Sequence, residues 1–147
     1  MSGIVCAIRG GPTSKPTIAK AIELAKETNL VLHFLYIVNL DFLTYTESSR
    51  VRLIKEEMHE MGDFIVLAAQ EKAENEGVEA QGAVRDGTVS EGIIEFSQEI
   101  EADYVVLGSP RAEHDENVFT RERFESFVAT VEEESGARVV LSEIETS

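Results

Sequence analysis

Five short apolar runs alternate with four longer amphipathic stretches along the chain. The apolar runs have the length and the β-branched residues of strands, whereas the stretches between them repeat their apolar residues at helical spacing. The predicted strands cover residues 3–8, 30–38, 78–84, 104–107 and 138–141. Strict alternation of strand and helix requires parallel strands joined by right-handed crossovers. The sequence therefore predicts a doubly wound α/β fold, an open sheet of five parallel strands with helices on both faces.

The chain is predicted to be one domain over residues 1–147. Its 147 residues are an ordinary length for a single domain, and 43% of them are hydrophobic, enough to build a core. No linker, repeat or low-complexity segment interrupts the alternating pattern.

Capping residues mark the ends of the predicted helices. Ser14 is predicted to cap the first helix and Asn29 to end it, and Thr88 with Glu91 forms a capping box at the start of the third. The second helix is predicted over residues 47–76. Its predicted buried stripe consists of Val51, Ile54, Met58, Met61, Ile65 and Ala69.

The net charge of −15, from 13 basic and 28 acidic residues, bears on partners. An acidic surface repels the phosphates of nucleic acids and of anionic membranes, so neither is expected as a partner. No apolar run approaches the roughly 18 residues of a membrane span. Because Cys6 is the only cysteine, an intramolecular disulfide is excluded. We expect a cytoplasmic location. The acidity itself has two interpretations, a solvated surface or an adaptation to high salt.

No catalytic constellation stands out in the sequence. Ser109, His114 and Asp115 lie in one short polar stretch, and no Gly-x-Ser-x-Gly elbow is present. Glu56 and His59 share a helical face, but no further ligand at zinc-binding spacing follows them. We therefore expect neither an enzyme nor a metal site.

Open α/β sheets bind ligands beyond the carboxyl ends of their strands, where the winding direction reverses. The predicted loops at that edge include residues 9–14 and 108–117, which carry glycines that allow close backbone approach. The helix starts at Ser14 and Thr88 also present free N–H groups suited to an anion. These features predict where a ligand would bind, but they do not indicate a reaction.

Four segments match, in order and spacing, the pattern of one known family. They are residues 4–10, Leu32–Val38, Gly87 and the run Asp103-Tyr104-Val105-Val106-Leu107-Gly108-Ser109. The chain resembles the universal stress proteins along essentially its whole length. The resemblance implies the strand order 3-2-1-4-5, a role in the stress response and a homodimer built through the last strand, here Val139, Val140 and Leu141.

Many members of that family bind ATP through Gly-x-x-Gly, nine residues, then Gly-Ser or Gly-Thr. Here Gly108 begins the motif, but Arg111 occupies the position of its second glycine. Counting forward puts Arg121-Glu122 at the final pair, whereas counting back from the last strand puts Glu125-Ser126 there. The candidate ligand-binding residues that the resemblance implies are Arg9, Gly10, Ile37, Gly108, Ser109, Arg111 and Ser126.

Arg9 stands where the family has an aspartate that meets the nucleoside. It could join Arg111, Arg121 and Arg123 in a basic crevice for a phosphate-bearing or carboxylate ligand, or these arginines could pair with nearby acids. We therefore expect a dimeric binding module of the stress response that lacks the standard ATP site and has no cofactor. The alternatives are a regulatory switch that binds ATP or AMP, a weak nucleotide hydrolase, and a purely structural interaction domain.

Overall fold

Strands and helices alternate along the chain in the structure, a computed structural model. It describes residues 3–9, 14–39, 49–108 and 118–142, except the side chains of 49–51 and 118–123. The elements in these ranges are β1 (Gly3–Ala7), α1 (Lys15–Thr28), β2 (Val31–Val38), α2 (Ser49–Asn75), β3 (Ala80–Asp86), α3 (Val89–Ile100), β4 (Tyr104–Gly108), α4 (Val118–Ser135) and β5 (Arg138–Ser142). Every strand pair is parallel, and the order is β3-β2-β1-β4-β5. The predicted fold class and strand order are confirmed.

The sheet separates two apolar cores, because successive residues of a strand point to opposite faces. In β1, Ile4 and Cys6 join the core under α1 and α2, whereas Val5 joins the core under α3 and α4. All three are fully buried. Strands that are covered on both faces must be apolar throughout, which explains why the central strands read as continuous apolar runs.

The predicted cap at the start of α1 is wrong. Ser14 occupies the capping position, but its backbone is already helical, at φ −84° and ψ −14°, and its side chain makes no cap hydrogen bond. Its hydroxyl instead accepts a hydrogen bond from the backbone N–H of Arg9, at 3.2 Å. Asn29 ends α1 in the left-handed region, at φ 59°, as predicted. Of the predicted capping box, the structure shows the Thr88 cap, which accepts a hydrogen bond from the N–H of Glu91.

The buried face of α2 follows the predicted stripe in the described residues, except at Met61. Met61, predicted to lie in the core, is 56% exposed, whereas Gly62 and Val66 face the sheet. A β-carbon at Gly62 would lie 2.6 Å from the ring of Tyr36, and one at Gly82 of β3 would lie 2.9 Å from Val66. The helix backbone therefore approaches the sheet closely because glycine is present on both sides. The rest of the stripe is buried or half-buried, apart from Val51, whose side chain is outside the described part: Ile54, Met58, Ile65 and Ala69.

Helix α2 is also the longest element, with 27 residues. Neither it nor another helix in the described ranges combines the length and apolar character needed to cross a bilayer.

Candidate functional site

The candidate site lies where the connections of the sheet change direction. Strand β1 pairs with β2 on one side and with β4 on the other. From β1 the chain passes through α1 to β2, and it reaches β4 only after β3 and α3. This is the switch point of an open α/β sheet, where ligands bind. We call the region formed by Arg9, residues 14–17, Gly108 and Ser142 the switch-point crevice.

Thr17 fixes the first turn of α1 over the strand ends. Its hydroxyl is hydrogen-bonded to that of Ser142 at the end of β5, at 2.9 Å, and the two residues are only 3% and 4% exposed. The thiol of Cys6 in β1 points to the carbonyl oxygen of Thr17 at 3.9 Å. One residue thus joins α1 to both β1 and β5. Sequence reasoning missed Thr17 and Ser142, since no local pattern relates two residues 125 positions apart.

Gly108 lies beside this pair of hydroxyls. A β-carbon there would be 2.8 Å from Oγ1 of Thr17 and 3.9 Å from Oγ of Ser142. No side chain fits without moving a buried, hydrogen-bonded group. The packing of α1 is therefore a sufficient reason for glycine at this position, whether or not a phosphate also approaches it.

The described part of the crevice carries two cationic side chains. Arg9 and Lys15 are exposed, and the first turn of α1 contains no acidic residue. The helix dipole adds partial positive charge at the same place, and the N–H groups of a first turn have no partners within the helix. In a chain of net charge −15, this edge of the sheet is suited to an anion.

A second polar cluster ties α2 to the end of β3. Oδ2 of Asp86 lies 3.3 Å from Nζ of Lys55, and Oδ1 is hydrogen-bonded to Nε2 of His59. Burial raises the pKa of Asp86, but hydrogen bonds and charges from His59 and Lys55 outweigh it, so the pKa lies below its ordinary value. Among the described residues, no three His, Cys, Asp or Glu side chains are grouped as a metal site requires.

Two other chemically interesting side chains serve packing. Cys6 is buried, as predicted, and burial raises the pKa of its thiol, which disfavours the reactive thiolate. The half-buried ring of His33 meets the ring of Phe96 edge-on, with 5.9 Å between centroids, and burial lowers its pKa. The guanidinium of Arg85 lies over the same Phe96 ring, 5.1 Å from the centroid.

Comparison with known proteins identifies the family. The model of the universal stress protein family matches residues 1–128. The chain belongs to the universal stress protein family. A universal stress protein of Methanocaldococcus jannaschii is 27% identical over 107 residues, which are 72% of this chain. The match spans 63% of that relative, less than two thirds of its length.

Solved universal stress proteins share the fold. One, in complex with cAMP, is 18% identical with a TM-score of 0.70, and the match covers 99% of this chain and 98% of that one. Another, from Archaeoglobus fulgidus in complex with dAMP, is 16% identical with a TM-score of 0.63, covering 97% and 98%.

The candidate residues taken from the family pattern are placed unevenly. Arg9 follows β1, and Gly108 ends the neighbouring strand β4. The side chain of Ile37 packs onto α3, where a β-carbon at Gly92 would lie 2.5 Å from its Cδ1. A contribution of Ile37 to a ligand is thus confined to its backbone. Ser126 is exposed, about 12 Å along α4 from its first residue, and stays a prediction. The remaining candidates lie outside the described residues: Gly10, Ser109, Arg111 and the side chains of Arg121 and Arg123.

Proposed function

We propose that this universal stress protein acts by binding rather than by catalysis, as a homodimeric module of the stress response. Its switch-point crevice takes a small phosphate-bearing or carboxylate ligand, in place of ATP held in the usual family manner. The observation that carries the proposal is the exposed pair Arg9 and Lys15 beside a first helical turn that has no carboxylate.

The side chains at the family's nucleotide positions favour an anion over the usual contacts of ATP. An aspartate at the end of the first strand accepts hydrogen bonds from a nucleoside, whereas the guanidinium of Arg9 only donates them. Two parallel N–H donors suit a phosphate or carboxylate. Arg111 occupies the position of the second glycine of the motif. At that position the family pattern brings only the backbone into contact with a phosphate.

The second candidate is a regulatory switch that binds a nucleotide such as AMP or ATP. It is supported by the two universal stress proteins of the same fold whose structures contain cAMP and dAMP. Each of these nucleotides carries a single phosphate, and one anion site at the start of α1 is enough to hold one phosphate.

Isothermal titration with inorganic phosphate, AMP and ATP tests the proposal. We expect phosphate and AMP to bind at millimolar concentrations or below, and Arg9→Ala to weaken both at least about tenfold, as for a charge-assisted contact. Arg138→Ala is the matched control, because it removes the same charge from an exposed position at the opposite, amino end of the sheet.

Four results would count against the proposal. If titration at millimolar ligand produces no heat of binding, or if Arg9→Ala binds the ligand with unchanged affinity, the proposed anion site is contradicted. ATP that copurifies with the chain and is released by heating restores the usual family role. Release of phosphate from ATP, abolished by Arg111→Ala, would make the chain a weak nucleotide hydrolase.

The proposed homodimer forms through β5, an edge strand that pairs only with β4 within the described ranges. Val139 and Val140 are half-buried, and Leu141 is 39% exposed. Beside this edge lies an open hollow of about 410 Å³, lined in part by Leu141 and by Pro16 of α1. An edge strand with apolar side chains favours pairing with another strand.

Sedimentation tests this interface. Leu141→Asp should convert dimers to monomers, because a carboxylate would be buried without a partner. Leu53→Asp is the matched control, since Leu53 is an exposed leucine on α2, at 55%. A dimer that survives Leu141→Asp, or a chain that is monomeric throughout, contradicts the interface.

A further inference from the structure

The outward side of α2 carries a contiguous apolar patch. Phe64 is 71% exposed, Met61 56% and Leu67 52%, and Ala68 beside them is also exposed. Residues three and four apart are neighbours on a helix surface, so these side chains meet on one side. We call Met61, Phe64, Leu67 and Ala68 the α2 patch.

The two core clusters of the described residues include none of the patch side chains. The opposite side of the same helix, through Gly62, Val66 and Ala69, already packs against the sheet. Single exposed apolar residues are ordinary, whereas several together within two turns, with a phenylalanine at the centre, are typical of an interaction site.

The surroundings of the patch are acidic. Carboxylates lie within about one turn before it, on its flank and within about two turns after it, all on exposed side chains: Glu57, Glu60, Asp63, Glu71 and Glu74. The ion pairs between described residues use none of these five. Lys72 is an exposed cation next to the patch. The patch is therefore an apolar surface inside a largely unneutralised negative rim.

This rim disfavours a second copy of the chain as the occupant. In an antiparallel pairing centred on Phe64, Glu57 of one copy faces Glu71 of the other, since each lies seven residues from Phe64. In a parallel pairing each carboxylate faces itself. Like charges in direct apposition oppose association, and each copy carries a net charge of −15.

We propose that the α2 patch docks a basic amphipathic helix of another protein, with apolar side chains against Phe64 and lysines or arginines against the acidic rim. A helix fits because the patch is a short ridge on a helix, and helices pack ridge into groove. Charge complementarity selects a basic partner over an acidic one. This docking site is independent of the proposed ligand in the switch-point crevice.

Fluorescence anisotropy with two synthetic peptides tests the docking site. Both are helical and present the same leucine face, but one carries lysines and the other glutamates on its remaining positions. The lysine peptide should bind and the glutamate peptide should not, and added salt should weaken binding because it screens the rim.

Substitutions distinguish docking on the patch from general attraction to an acidic protein. Phe64→Ala keeps every charge and should weaken binding of the lysine peptide about tenfold or more, as expected for a central aromatic contact. Leu53→Ala is the matched control, because it removes another exposed apolar side chain from α2 outside the patch. Arg9→Ala should leave the peptide affinity unchanged, so that failure of the crevice proposal is separable from failure of this one.

Several results would overturn the inference. If Phe64→Ala binds the lysine peptide with unchanged affinity, the peptide recognises only the net charge of the protein. If the glutamate peptide also binds, the acidic rim does not select the partner. Self-association that is lost in Phe64→Ala would show that a second copy covers the patch. Circular dichroism of each variant confirms that a loss of binding does not reflect a loss of fold.

Discussion

Replacing Gly108 with alanine would place a β-carbon 2.8 Å from Oγ1 of Thr17. This separation is shorter than a van der Waals contact, so one of the two groups must move. The Thr17 hydroxyl is not free to rotate away, because it is hydrogen-bonded to Ser142 at 2.9 Å and both residues are buried.

Two routes relieve the contact, and the less costly one sets the loss of stability. Breaking the hydrogen bond leaves buried hydroxyls unpaired, which costs about 1–3 kcal/mol. Keeping it requires α1 to shift away from the strand ends, and overpacking of this kind also costs about 1–3 kcal/mol. We therefore expect Gly108→Ala to lower the free energy of unfolding by about 2 kcal/mol.

Urea unfolding followed by circular dichroism measures this loss, and a double-mutant cycle assigns its cause. In a Thr17→Ala background the obstructing hydroxyl is absent, so Gly108→Ala should cost at least about 1 kcal/mol less than in the natural sequence. The background itself loses stability because Ser142 is left without its partner. Additivity within about 0.5 kcal/mol would refute the proposed contact as the reason for glycine at this position.

Three further predictions concern the edge strand, the polar cluster and the thiol. The N–H of Val139 donates a hydrogen bond to the carboxylate of Glu132 at 3.0 Å. Glu132→Ala should free this N–H and strengthen a dimer formed through β5. An unchanged dimer dissociation constant in sedimentation would contradict strand pairing at that position. Because the folded pKa of Asp86 is depressed, its contribution to stability is present above about pH 4 and is lost as the pH falls through the folded value. Asp86→Asn should flatten the acid side of the pH–stability profile by a few tenths of a kcal/mol, since its pairing with His59 is solvent-screened, and an unchanged profile counts against the pairing. Cys6 should react with a thiol reagent only in denaturant, so rapid labelling of the native protein would contradict its burial.

The fold class could be predicted from local sequence pattern alone. Strands β1 and β4 are short apolar runs because both of their faces are covered, and the helices between them repeat apolar residues at helical spacing. Asn29 ends α1 as predicted because a residue that tolerates the left-handed region is needed there. These patterns depend on residues that are close together in the sequence, so they can be recognised without knowledge of any tertiary contact.

One position of the buried face of α2 could not be predicted in the same way. Apolar periodicity favours Met61 as a core residue, but the helix lies so close to the sheet that Gly62 is needed at the contact with Tyr36. A glycine adds no apolar signal to the pattern. The prediction therefore placed Met61 in the core in error, and the exposed α2 patch was identified only in the structure.

The place of the crevice follows from strand alternation and the family pattern, but the roles of its residues do not. Gly108 matches a glycine of the nucleotide motif, yet it also makes room for Thr17, which Ser142 holds from the far end of the chain. Ser14, expected to cap α1, accepts the N–H of Arg9 instead. Sequence by itself determined the elements and their parallel arrangement, because burial and helical spacing act over short stretches. Only the assembled sheet decided which hydroxyls and glycines meet, because those contacts join residues that the chain separates by as many as 125 positions.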